Sequence, residues 1–120
     1  MQLNARSEDR LKGVNVDIVS VVRRAAEITT VDFVVTEGLR TRERQAELFA
    51  ARATRTMNSK HIVGRAVDLA AVVGSEVRWD WPLYHHLASA MKLAAGELGI
   101  RIAWGGDWVS FKDGPHFELA

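Results

Sequence analysis

The segment from Arg65 to Val73 constrains this chain more than any other. Ala66, Val67 and Leu69 lead into an unbroken apolar run through Val73, the pattern of a buried strand. Asp68 nevertheless lies inside it. Just upstream, Ser59-Lys60-His61-Ile62-Val63-Gly64 is an irregular stretch that carries a histidine. Gly64 lets the backbone turn sharply enough for His61 and Asp68 to face one point.

The remaining pattern is mixed. Asn15 caps a helix in which Ile18, Val21, Val22 and Ala25 recur at helical spacing. Thr29-Thr30 and Val34-Val35 frame a short strand over Asp32 to Thr36, which Gly38 breaks. Thr41 and Arg42-Glu43-Arg44 read as the cap and first turn of a second helix through Gln45, Leu48, Phe49 and Ala53. Thr54 to Lys60 is polar and unpatterned, a loop. Trp79-Asp80-Trp81-Pro82 opens a third helix with the stripe Tyr84, Leu87, Ala88, Met91, Ala95 and Leu98, and Gly99 stops it. Arg101 to Trp104 and Phe117 to Leu119 are short strands, with a turn at Gly105-Gly106. The expected fold is α+β: one small domain over residues 1–120, with about three helices packed on a small, mainly antiparallel sheet.

Charge excludes some functions. Sixteen basic and fifteen acidic side chains leave a net charge of +1, and only Arg52, Arg55 and Lys60 form a modest basic stretch. Nucleic acid is therefore not expected as a partner. Met1-Gln2-Leu3-Asn4-Ala5-Arg6 has no apolar signal region, and no stretch approaches the ~20 apolar residues of a membrane span. The expectation is a product made in the cytoplasm without a signal peptide and without membrane insertion.

The chain has no cysteine, so any metal must be held by His, Asp and Glu. Of four histidines, His85 and His86 fall within the third helix and read as ordinary helix residues. His61 and His116 each lie beside a strand and close to carboxylates. In Asp113-Gly114-Pro115-His116-Phe117-Glu118, Pro115 stiffens the approach to His116, and Glu118 falls on the same strand face. Two imidazoles and one carboxylate form a catalytic three-ligand zinc set with a fourth position open. On spacing alone, scattered surface histidines remain the competing reading.

Ser59-x-His61-x-x-Gly64-x-Ala66-x-Asp68, followed by Pro115-His116-Phe117-Glu118, resembles the motif of the zinc D-alanyl-D-alanine carboxypeptidase family. That family includes VanY-like and VanX-like enzymes and the L-alanyl-D-glutamate peptidases of phage lysis. Glu37-Gly38-Leu39-Arg40-Thr41 with Arg44-Gln45 resembles its upstream motif. Trp104-Gly105-Gly106-Asp107-Trp108 and Asp113 to Leu119 resemble the phage endopeptidase branch. The similarity runs from about Val14 to Leu119.

The resemblance implies one zinc ion held by His61, Asp68 and His116. It implies Asp113 as general base and acid, at a position where many relatives carry Glu. Arg40 would stabilise the carbonyl oxygen or hold a substrate carboxylate. Ser59 would hydrogen-bond substrate, and Trp104 and Trp108 would wall a peptide groove, one of them purely structural. Glu118 would orient His116 from behind. Trp79 and Trp81 read as packing residues, Arg42 and Arg44 as surface arginines.

The implied activity is that of an endolysin hydrolysing the L-Ala–D-Glu bond of peptidoglycan stem peptides during phage host lysis. It would reach the wall after membrane permeabilisation, as a monomer with no separate cell-wall-binding domain. A D-alanyl-D-alanine carboxypeptidase or dipeptidase, and a non-catalytic zinc-stabilised binding module, are the alternatives.

Overall fold

In the computed structural model, residues 1–54 and 59–120 are described. The elements run α1 (Ala5–Arg10), α2 (Val16–Ile28), β1 (Asp32–Glu37), α3 (Arg42–Ala50), β2 (Ala66–Val73), β3 (Glu76–Arg78), α4 (Trp81–Leu98), β4 (Ile102–Trp104) and β5 (His116–Leu119). A 3-10 turn, Gly105–Asp107, joins β4 to the segment before β5. The apolar β2 takes a central place in the sheet, in the order β1-β2-β5-β4, and β3 also pairs with it. Every pairing among these strands is antiparallel.

Register gives the sheet two chemically different faces. Partners across antiparallel strands share a face, and successive residues alternate. Val35 opposes Leu69, Val67 opposes Phe117, and Phe117 also opposes Trp104, so these five point one way. All are buried, in one apolar cluster with residues of α2 and α4. On the opposite face Glu37 lies across from Asp68, Asp68 from His116, and Ala66 from Glu118. A bulge between Val35 and Glu37 delivers Glu37 to that polar row.

The helices follow their apolar stripes. Asn15 accepts from the Asp17 N–H at the start of α2, which buries Ile18, Val21, Val22, Ala25 and Ala26. Thr41 caps α3 by accepting from the Arg44 N–H. Tyr84, Leu87, Ala88, Met91 and Ala95 of α4 are buried as the stripe predicts, but Leu98 is 44% exposed. The helix ends there, because Gly99 turns left-handed at φ 69° and leads the chain away.

Sequence patterning missed two elements. α1, a fourth α-helix among the described residues, is too short to display an apolar stripe. It covers the outer edge of β1: Ser7 Oγ accepts from Val35 N–H at 2.9 Å, and Arg10 Nη1 donates to Val35 O at 3.0 Å. β3 is exposed throughout and so shows no alternation. The second helix stops at Ala50 rather than reaching Ala53. Of the expected loop from Thr54 to Lys60, residues 55–58, Arg55 among them, lie outside the described residues.

Gly38 sits where β1 leaves the sheet over α1. A Cβ there would overlap the Arg10 carbonyl oxygen, which backbone cannot yield cheaply. Gly38→Ala should destabilise the fold by about 1–3 kcal/mol and lower its melting midpoint by several degrees. A melting curve indistinguishable from that of the parent chain would refute this crossing as a constraint.

Candidate metal centre

The pairing of β2 with β5 sets Asp68 beside His116, and the loop before β2 brings His61 against both. His61 is fixed on three sides. Its backbone N–H donates to Ser59 Oγ at 3.1 Å, its carbonyl accepts from Arg40 N–H at 2.9 Å, and its ring Nδ1 meets the Gly38 carbonyl at 2.8 Å. A carbonyl only accepts, so the ring proton is on Nδ1 and the Nε2 lone pair points inward, 3.0 Å from Asp68 Oδ1. His116 has the reverse arrangement. Its Nε2–H donates to Glu118 Oε1 at 2.8 Å, leaving Nδ1 facing Asp68 Oδ1 at 3.2 Å.

Three acceptors therefore converge, one from each residue, all within 4.8 Å of one another. Lone pairs gathered this closely repel unless a cation stands among them. Two imidazole nitrogens and one carboxylate oxygen are a zinc donor set, and each imidazole is oriented from behind by an oxygen acceptor. The donor set fits zinc.

The surrounding cleft, about 620 Å³, is also lined by Arg40, Ser59, Trp108, Phe111 and Asp113. Asp113 is fixed through its backbone: its N–H donates to Gly105 O at 3.0 Å, and its carbonyl accepts from His116 N–H at 3.2 Å. A side chain at Gly105 would overlap the Asp113 carbonyl, so glycine permits the approach. Arg40 is buried and donates from Nε and Nη2 to Glu37 at 2.6 Å each and from Nη1 to Gln45 at 2.7 Å. Its Nη2 lies 3.8 Å from Asp68 Oδ2. The Trp108 ring stands 5.2 Å from that of His116.

The sequence profile of the family described as phage L-alanyl-D-glutamate peptidase matches residues 1–120. The chain belongs to that family. It is 33% identical to the L-alanyl-D-glutamate peptidase of Escherichia phage T5, over 85% of this chain and 77% of that one. It is 29% identical to the peptidoglycan L-alanyl-D-glutamate endopeptidase CwlK of Bacillus subtilis, over 82% of this chain and 66% of that one. The crystal structure of the Serratia marcescens L-Ala D-Glu endopeptidase ChiX superposes with a TM-score of 0.94 at 44% identity, covering 100% of this chain and 90% of that one. The zinc-bound D,D-pentapeptidase VanY shares the fold at 18% identity and a TM-score of 0.59, over 88% of this chain and 72% of that one.

In this peptidase, Trp79 and Trp81 differ from their sequence-based expectations, and Trp104 is the purely structural member of its pair with Trp108. Trp104 does not wall the cleft: paired with Phe117 on the core face, it is 3% exposed, and its indole N–H donates to Gly114 O at 2.7 Å. Trp79 and Trp81 are not packed away but are 63% and 46% exposed. His85 and His86 lie exposed on α4, and Asp107 pairs with Lys92 at 2.7 Å. Sequence reasoning gave no role to Glu37 and Gln45, which hold Arg40, or to Lys60, which reaches Glu118 at 2.9 Å. Glu37 and Arg40 lie three apart in a turn, where no periodicity announces a pair.

The electrostatics are dominated by carboxylates. Burial alone would raise Asp68, but without an ion between them the hydrogen bonds it forms with His116 and His61, and their charges, hold it well below the usual range. Burial would lower His116, yet its bond to Asp68 and the carboxylates of Asp68, Glu118 and Asp113 hold it above the ordinary 6.5. Glu118 is lowered, its burial outweighed by Lys60 and His116. Asp113 is raised by burial and then by the Asp68 charge, against the pull of His116, His61 and Arg40.

Zinc bound at this donor set would compete with protons for His116. In the metal-free peptidase, a raised folded pKa contributes stability that is full below 6.5 and lost as pH climbs through the raised value. Zinc requires the unprotonated nitrogen, so its contribution runs the other way. The rise in melting midpoint on adding zinc should grow from about pH 6 to about pH 8; a constant or shrinking rise would contradict the competition. Glu118→Ala should weaken zinc binding by roughly 10- to 100-fold, measured by competition with a chelator, and parent-like affinity would remove Glu118 from the centre.

Proposed function

We propose that this chain is a zinc endopeptidase hydrolysing the bond between L-Ala and D-Glu in peptidoglycan stem peptides, as an endolysin acting in phage host lysis. The observation that carries this is the convergence of His61 Nε2, His116 Nδ1 and Asp68 Oδ1 within 4.8 Å beside an open cleft, in a chain of this peptidase family. His61, Asp68 and His116 hold one zinc ion. When bound, zinc supplies Lewis acidity, polarising the scissile carbonyl and acidifying water.

The protein's own groups then divide the remaining work. Asp113 takes a proton from the attacking water as the carbon–oxygen bond forms, and passes it to the amine nitrogen as the carbon–nitrogen bond breaks. Its short side chain reaches the cleft because Gly105 lets the backbone come close. Arg40 donates three of its five N–H groups to Glu37 and Gln45 and offers its positive edge to the carbonyl oxygen or a substrate carboxylate. Ser59 and Trp108 contact the peptide, and Glu118 keeps the His116 proton on Nε2. The enzyme is made in the host cytoplasm and works as a monomer on the wall once the membrane is breached.

Digestion of purified peptidoglycan with and without chelator, followed by mass spectrometry, tests this reading. New D-Glu amino termini in the zinc-loaded sample alone are expected; released D-Ala or its dipeptide would move the enzyme to the D,D-peptidases. Asp113→Asn should keep zinc and lose about 10²- to 10⁴-fold in kcat. A variant as fast as the parent would strip Asp113 of the proton-transfer role.

A further inference from the structure

The turn from Lys112 to Pro115 has two sides. One faces the metal cleft. The other forms, with Trp79, Trp81 and Tyr84, a second groove of about 200 Å³, and Asp113 lines both. Two tryptophans exposed by 63% and 46% on one small face are unusual, because exposed aromatic patches mark binding surfaces.

The groove is also braced by neighbouring side chains. Trp79 stacks on Tyr84, with ring centroids 6.1 Å apart and planes within 1° of parallel, and it remains largely exposed. The Tyr84 hydroxyl donates to Arg78 O at 2.7 Å and accepts from Ala71 N–H at 3.2 Å. An Arg78–Asp80 ion pair of 2.8 Å brackets Trp79. Trp81 meets the edge of the buried Trp104 at 6.5 Å. Binding there costs little ordering of side chains.

The chemistry of the substrate says what belongs in it. Resting on the activity proposed above, the scissile bond is the first within the stem, and the L-Ala before it is joined through its nitrogen to the lactyl group of an amino sugar. At roughly 3.5 Å of extended chain per residue, with only L-Ala and the lactyl group between them, the sugar lies within about two residues' reach of the scissile bond. A pyranose ring presents a flat face of C–H groups that stacks on an indole, and a hydroxylated rim that suits Lys112 and the Arg78–Asp80 pair. We infer that the Trp79–Trp81 groove binds the glycan strand of peptidoglycan, seating the sugar that carries the stem peptide being cut. A D,D-peptidase, cutting at the far end of the stem, has no sugar at this distance to use.

Two substrates test it: the free stem peptide, and the same peptide on its N-acetylglucosamine–N-acetylmuramic acid disaccharide. The zinc-loaded enzyme should favour the disaccharide form, and Trp79→Ala should reduce the ratio of the two kcat/KM values by about five- to tenfold. An unchanged ratio in a variant that melts like its parent would overturn the inference. A second measurement needs no variant: the indole N–H resonances of Trp79 and Trp81 should shift with a peptide-free tetrasaccharide of the same sugars. Silence at both resonances, with no preference for the disaccharide substrate, would equally overturn it. If neither substrate is cut, the proposed activity fails instead, and the resonance shifts still decide whether the groove holds glycan.

Discussion

A carboxylate in the middle of a buried strand is the constraint around which this site is arranged. Removing an ionised carboxyl from water costs several kcal/mol unless partners replace the lost hydration. Asp68 has them on both oxygens. Oδ1 faces His61 and His116, while Oδ2 faces Arg40 at 3.8 Å. The sheet register supplies this directly, with Glu37 across one side of Asp68 and His116 across the other. Glu37 in turn immobilises Arg40, so the cation near Asp68 is held by a second carboxylate and competes less for the first.

The two imidazoles present different nitrogens for a physical reason. His116 and Glu118 stand on one face of β5, so the outer Nε2 reaches along the strand to Glu118 and the inner Nδ1 is left for the centre. His61 comes from a loop that hydrogen-bonds to the segment after β1, which places its Nδ1 against Gly38 and sends Nε2 inward. Lys60 closes the outer ring by donating to the Leu119 carbonyl and pairing with Glu118. Each inner acceptor is thereby oriented by a group anchored in backbone.

Much of this could be read in advance, for identifiable reasons. The stripes of α2 and α4 and the apolar run of β2 are local patterns, set by helix and strand periodicity, and they placed the core face correctly. A loop histidine and two strand residues beside glycine and proline turns left the set of His61, Asp68 and His116 in competition with scattered surface histidines, and the resemblance to the family motif singled it out. Which of Trp104 and Trp108 is structural was not legible, because a glycine-flanked tryptophan looks like a cleft wall until the register with Phe117 assigns it to the core. The Glu37–Arg40–Gln45 clamp was not legible: its members belong to a strand end, a turn and a helix start, and only tertiary contact makes them one unit. α1 was hidden because it is anchored by polar bonds to a strand edge, not by an apolar face.

Core packing also decides where Asp113 stands. The Trp104 indole, stacked 6.3 Å from Phe117, donates to the Gly114 carbonyl, and Gly105 accepts from Asp113 N–H one turn away. Trp81 packs against Gly114 from the far side, so the turn is held by the core below and by α4 at its flank. An aspartate is one methylene shorter than glutamate, and a backbone held this close supplies the missing reach. The same arrangement makes the turn a thin partition between the metal cleft and the tryptophan groove. A ligand in the tryptophan groove would therefore press on the Gly114 end of a segment whose other end carries Asp113, the carboxylate proposed to move the proton.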